Sequence, residues 1–259
     1  MIAAHRVLDP RFPRQVAPGL CALAVMTKVP QAGKVKTRLT PPLTPPEAAA
    51  LNTCFLRDTT EAISAASRKG DAAGIAVYTP VGEEESYHGI LPDEFQLVAQ
   101  RGDGFGERLI SATEDLLALG FESVCLIDSD SPTVPQQFYE QAAQRLAQAG
   151  DRIVLGPSND GGYYLIGLKK PHREIFQRIE WSTKHVFSQT LERAGGIGVE
   201  VDLLPAWYDV DDRATLNRLC QELFGAGSNL STAYEAPHTR SYLAGLLRRE
   251  GRARIWPNE

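Results

Sequence analysis

Cysteine is scarce in this chain, at four in 259 residues. Cys21, Cys54, Cys125 and Cys220 lie far apart, with neither the spacing of a zinc site nor the density of a disulfide framework. They read as core thiols in a reducing cytoplasm. Long apolar runs are also missing, so no segment approaches the roughly 20 residues of a membrane span. Residues 1–19 lack the apolar centre of a signal peptide and are rich in Pro and Arg, which suggests an N-terminal arm or packed extension. Basic charge is not in excess: the net charge is -5, which argues against a surface built to attract nucleic acid. The five histidines show no metal spacing and no matched nucleophile. No internal repeat or low-complexity linker divides the chain. What is left is a soluble enzyme long enough for one large α/β domain with a substantial core.

What is present is an alternation of strand-like and helix-like segments. Strands are expected at 20–26, 75–78, 96–99, 124–127, 153–155, 163–168 and 199–203. Helices are expected at about 44–67, 105–119, 136–149, 183–194 and 214–224. Thr44-Pro45-Pro46-Glu47 has the form of a helix start, with Thr as N-cap, Pro at the first helical position and Glu three residues after the cap. Gly120 and Gly150 read as helix terminators. Such alternation predicts a mostly parallel sheet with helices on both faces. The polar stretch 225–237 leads to a short helix near 241–249, whose arginines read as a solvated basic tail.

The most informative segment is Asp128-Ser129-Asp130, at the end of the apolar run Val124-Cys125-Leu126-Ile127. Two carboxylates one residue apart at a strand's carboxyl end project to where open α/β sheets bind ligands. They repel each other unless a cation sits between them. A hard divalent ion suits oxygen ligands, and Mg²⁺ usually arrives with phosphates. A solvated turn is the bland alternative. A second acidic cluster, Tyr208-Asp209-Val210-Asp211-Asp212, also follows a strand. Asp209 and Asp211 alternate as extended side chains do, and Asp212 reads as the cap of the next helix. Together the two clusters form a candidate shared metal site.

The loop after the first strand carries Lys28, Lys34, Lys36 and Arg38 around Gly33, which suits a polyphosphate or simply a basic surface. It lacks the glycine spacing of a P-loop. The turn Gln100-Arg101-Gly102-Asp103-Gly104-Phe105-Gly106 follows a strand and opens a helix but departs from the dinucleotide fingerprint. Asp160-Gly161-Gly162 joins two strands and could be only a hairpin turn. Trp181 either stacks on a ligand ring or packs in the core, and Ser182 or Thr183 could cap a helix.

Taken in order, these segments resemble a bacterial glycosyltransferase family with the GT-A nucleotide-diphospho-sugar transferase fold, some members of which are linked to arsenosugar biosynthesis. The residues that carry the resemblance are Lys28-Val29-Pro30, Gly33-Lys34-Val35-Lys36-Thr37-Arg38-Leu39, 102–109, Asp128-Ser129-Asp130-Ser131-Pro132, Gly156-Pro157, Asp160-Gly161-Gly162-Tyr163-Tyr164, Trp181-Ser182-Thr183 and Asp209-Val210-Asp211. The match spans about 20–224, leaving the arm at 1–19 and an extension at 225–259 outside it. The family is itself similar to the nucleotidyltransferases that charge molybdopterin or phospholactate. The resemblance implies a sugar nucleotide or NTP at the carboxyl edge of a single-domain, Rossmann-like mixed sheet, with Mg²⁺ or Mn²⁺. By analogy Lys28, Lys34, Lys36 and Arg38 would meet phosphates, and Gly102 and Asp103 would lie near the base. Asp130 would hold the metal, with Asp128 beside it and Asp209 or Asp211 completing the shell. Asp160, Gly161, Gly162 and Trp181 would face a small-molecule acceptor, with Asp160 as the candidate base. The expected activity is glycosyl transfer. The alternatives are nucleotidyl transfer with pyrophosphate release, and nucleotide binding without turnover.

Overall fold

Apolar residues on both faces of a strand require cover on both sides, and the strand-forming runs of this chain have that character. The computed structural model describes residues 5–225 and 233–256. Its strands are β1 (Val7–Leu8), β2 (Cys21–Lys28), β3 (Ala72–Thr79), β4 (Gln96–Ala99), β5 (Ser123–Ile127), β6 (Arg152–Pro157), β7 (Tyr163–Leu168) and β8 (Glu200–Leu203). They form one sheet in the order β1-β4-β3-β2-β5-β7-β6-β8. Only β7 runs antiparallel to its neighbours, β5 and β6. The helices are α1 (Pro45–Ala66), α2 (Phe105–Leu119), α3 (Gln136–Ala147), α4 (Val186–Gly196), α5 (Arg213–Phe224), α6 (Pro237–Glu250) and α7 (Arg252–Ile255). This is the expected α/β architecture with a mostly parallel mixed sheet.

Along β2, Leu23 and Val25 face a cluster with Leu56 and Ile63 of α1 and Phe138 and Ala142 of α3. The intervening Ala22 and Ala24 face Leu109 and Leu116 of α2. A third cluster joins Leu51 and Phe55 of α1 to Leu219 of α5, Leu243 of α6 and Trp256. The capping box at Thr44 forms as expected, Glu47 N–H donating to Thr44 Oγ1 and Thr44 N–H to the Glu47 carboxylate. A cap of this kind contributes about 1 kcal/mol. Strand order reverses between β2 and β5: β3, β4 and β1 lie on one side of β2, and β5 on the other. Crevices at such a reversal are where open α/β sheets take ligands.

The structure departs from expectation at several places. Helix α3 ends at Ala147 with Gln148 as its C-cap, so Gly150 is not its terminator. Val7–Leu8, inside the segment read as an arm or packed extension, pairs with Leu97 and Val98 as an edge strand that was not expected. Helix α4 starts at Val186 rather than Thr183, because Ser182 adopts φ 62° and the Thr183 hydroxyl turns back to the Glu180 carbonyl. It then runs through Gly195 and Gly196 instead of stopping before them. The helix expected at 241–249 is α6, longer at both ends, and residues 226–232 of the stretch expected before it lie outside the described residues.

Candidate functional site

The loop after β2 and the loop after β5 leave the sheet on either side of its reversal point. The β5 loop folds on its own side chains. Asp130 N–H points at Asp128 Oδ1 (3.3 Å), and the Ser131 hydroxyl donates to Asp128 Oδ2 (2.9 Å). The second acidic cluster is stitched to the first through backbone, Val210 N–H donating to the Asp130 carbonyl at 2.9 Å. Asp209 Oδ1 accepts from the Ser158 hydroxyl at 2.9 Å. Because β7 lies between β5 and β6, the β6–β7 turn bearing Ser158 and Asp160 reaches the same edge. In that turn Asp160 Oδ1 accepts from Gly162 N–H at 2.8 Å.

Two adjoining hollows result. The first, about 620 Å³, is lined by Lys28, Lys36, Arg38, Gly102, Arg108 and Gln100, among others. The second, about 400 Å³, is lined by Asp128, Asp160, Gly162, Trp181, Lys184 and Asp209, among others. Arg38, Phe105, Asp130 and Asp211 line both and form the waist between them. Lys34 and Asp103, expected at phosphate and base, are exposed and line neither hollow, and Gly161, expected on the acceptor side, lines neither as well. Asp103 instead contributes its backbone N–H to Glu107 at the start of α2.

Lys36 does not point into solvent. Its side chain is 5% exposed, and its Nζ lies 2.9 Å from Asp130 Oδ1, 2.8 Å from Asp211 Oδ1 and 2.8 Å from the Val210 carbonyl. The three protons of an ammonium are thereby all engaged, whereas a phosphate contact was expected. Burial alone would lower this ammonium's pKa, but the charges of Asp130 and Asp211 outweigh it and hold the group up. Asp128 has the opposite fate: enclosure by protein, then the charge of Asp130, push its carboxyl well above the usual range. Asp209 is raised by burial and by the charge of Asp160. These carboxylates are oxygen donors in mutual repulsion, which is the chemistry of a site for a hard divalent ion.

Aromatic residues form the far wall. The Phe105 and Trp181 rings meet edge to face, 5.0 Å apart. Trp181 fits because residue 106 is glycine: a Cβ there would lie 2.9 Å from the indole nitrogen. The Arg108 guanidinium sits 5.7 Å from the Phe105 ring centre. Arg108 and Phe105 were not singled out from sequence, although both sit on the first turn of a helix opened by a Gly-rich loop. Arg101 is committed elsewhere, in a two-bond pair with Asp115 at 2.7 Å each.

Among the described residues, one group brings three candidate metal-ligand atoms within 4.8 Å of one another: Asp58, Glu61 and His238. It lies between α1 and α6. There Asp58 accepts the backbone N–H groups of His238 (3.0 Å) and Thr239 (2.8 Å), so it caps α6.

Residues 62–183 match the family model described as "Uncharacterized protein conserved in bacteria (DUF2064)". That segment holds the Gly-rich turn, the Asp128–Asp130 loop, the Asp160 turn and Trp181. A solved structure from Desulfovibrio desulfuricans G20, described as a "putative nucleotide-diphospho-sugar transferase", is 29% identical with a TM-score of 0.75. The similarity covers 90% of this chain and 98% of that one. The chain therefore has a fold similar to the nucleotide-diphospho-sugar transferases, in agreement with the family resemblance read from its motifs. A CMP:2-keto-3-deoxy-manno-octonic acid synthetase complexed with CTP matches at 12% identity and a TM-score of 0.47, covering 77% of this chain and 96% of that one. A 4-diphosphocytidyl-2C-methyl-D-erythritol synthase from Anaerococcus prevotii DSM 20548 matches at 11% and 0.49, covering 87% and 99%. Likenesses this remote carry no argument about activity. No curated protein matches the chain.

Proposed function

We propose that this protein is a glycosyltransferase that takes a nucleotide-diphospho-sugar and a small-molecule acceptor, with Mg²⁺ or Mn²⁺ at the acidic clusters. The observation that carries the reading is the division of charge across the cleft. The first hollow offers Lys28, Arg38 and Arg108 to a diphosphate. The second sets Asp128, Asp130, Asp160, Asp209 and Asp211 against Lys184 and Arg38, beside the Phe105–Trp181 wall. The 29% identity to the Desulfovibrio protein supports the same donor class. Four free thiols accord with a cytoplasmic setting. No described helix is long and apolar enough to cross a membrane.

In this reading Asp128 and Asp209 would hold the divalent ion, with Asp130 beside them paired to Lys36, and the ion would offset the charge that builds on the leaving diphosphate. Arg38 stands at the waist, where it can follow that charge from ground state to transition state. Asp160, oriented by the Gly162 N–H, takes the proton of the acceptor hydroxyl. The acceptor oxygen then bonds to the anomeric carbon as the bond to the β-phosphate oxygen breaks, its electron pair leaving with the nucleoside diphosphate. The test begins with a thermal-shift screen of nucleotides and nucleotide sugars with and without Mn²⁺, since a ligand of the native state raises Tm with its occupancy. Hits are then assayed for nucleoside diphosphate release from sugar nucleotides and for pyrophosphate release from NTPs. Diphosphate release is the expected result. Pyrophosphate release would replace this reading with nucleotidyl transfer, and binding without either product would leave a nucleotide-binding protein.

A further inference from the structure

We infer that Lys36 is a positioning residue: a built-in cation that occupies the space between Asp130 and Asp211, confines the divalent ion to the Asp128–Asp209 side, and makes no contact with phosphate. The inference rests on the metal reading above and deepens it. Lys36 lies on a loop otherwise shaped for phosphate, yet its Nζ turns back to Asp130, Asp211 and the Val210 carbonyl. The Phe55 ring, 5.6 Å from Nζ, closes the other side. Its own backbone is left-handed, at φ 48° and ψ 38°, an unfavourable conformation for a long side chain that the anchored ammonium maintains. The bond from Val210 N–H to the Asp130 carbonyl already joins the two acidic loops, and Lys36 completes the joint with charge. A divalent ion placed between Asp130 and Asp211 would have to displace an ammonium with every proton bonded. Asp128 and Asp209 carry no such ammonium bond and are the carboxylates left in want of a cation.

The experiment is calorimetric titration of MnCl₂, without nucleotide, into the full chain and into Lys36→Met. Removing the ammonium leaves Asp130 and Asp211 unbalanced, so the variant should bind Mn²⁺ at least about tenfold more tightly or take up a second ion. Unchanged affinity and stoichiometry would overturn the inference. Because the single variant strands two charges and could fail to fold, the charge-balanced Lys36→Met/Asp211→Asn variant is titrated with UDP, GDP, CDP and ADP in the presence of Mn²⁺. A positioning lysine predicts diphosphate affinity within about threefold of the parent chain. A lysine that moves onto the phosphates predicts a loss of tenfold or more, the size of one charged hydrogen bond, and that result would also overturn the inference. Failure of the parent chain to bind Mn²⁺ at all would refute the metal reading itself, and the two failures are thereby told apart.

Discussion

Substituting Gly161 by alanine should cost about 3–6 kcal/mol of stability, and the sum can be worked from geometry. Gly161 has φ +94°, where an L-residue is strained by about 1–2 kcal/mol. A Cβ would lie 2.3 Å from the Lys184 carbonyl oxygen, 2.6 Å from its Cα and 2.7 Å from its carbonyl carbon. These are backbone atoms, so no rotamer change relieves the overlap, and forced displacement in a packed setting costs about 1–3 kcal/mol. The Gly161 carbonyl also accepts Phe187 N–H at 2.8 Å, tying the turn to the first turn of α4. Loss of that bond adds about 1 kcal/mol. Gly162→Ala is the control: its Cβ meets only the Asp160 carboxylate, at 3.2 Å, and that side chain can yield. Thermal unfolding reads the difference. At about 2–4 °C per kcal/mol for a chain of this size, Gly161→Ala should lower Tm on the order of 10 °C and Gly162→Ala by a few degrees at most. A shift below about 2 °C for Gly161→Ala would refute the argument that the turn and the 182–184 segment are in backbone contact.

Four further outcomes are expected. Arg38→Ala should weaken nucleoside diphosphate binding by about 1.5–3 kcal/mol in calorimetry while leaving the bare nucleoside unaffected; equal losses would make the loop merely structural. Asp160→Asn should leave donor affinity nearly unchanged and lower turnover about 10²–10⁴-fold, whereas a turn residue would tolerate the change. Asp128 has its folded-state pKa raised, by enclosure first and by Asp130 second, above an unfolded value of about 3.9. Its stabilising contribution is therefore complete below that value and is lost as pH rises through the folded value. Asp128→Asn should accordingly raise Tm at pH 7 without divalent cations, the two proteins converging toward about pH 4, and parallel Tm curves would contradict this. Burial, then the charge of Asp58, pushes the Cys54 thiol up to about 11, and burial pushes Cys220 up to about 12. Ellman's reagent at pH 8 should titrate less than one thiol in the native chain and four in urea.

Much of this fold is legible in sequence because local signals coincide with tertiary demands. Helix α2 begins at Phe105 and ends before Gly120 as expected, since Glu107 bonds back to the start and Gly120 supplies a left-handed C-cap. Both faces of β2 and β5 are buried, so each reads as an apolar run. Strand β1 gives no such signal: two residues have no period, and only their register with Leu97 and Val98 defines them. The two acidic clusters announced themselves as strand exits. Their connection did not, because it depends on a backbone bond from Val210 to Asp130 and on an ammonium far away in sequence. Spacing alone also cannot tell a lysine that greets a phosphate from one that has turned inward.

The capping of α6 by Asp58 ties the far end of the chain to its centre. A helix held through its amides on a carboxylate of α1 gives up two charge-assisted hydrogen bonds if it leaves. Leu243, Leu246, Ile255 and Trp256 would leave with it, stripping the cluster that also contains Phe55. Phe55 is the ring beneath the Lys36 ammonium. Shortening the chain near residue 224 would thus loosen the wall behind the basic loop, and a defect made at the periphery would be read out in the cleft.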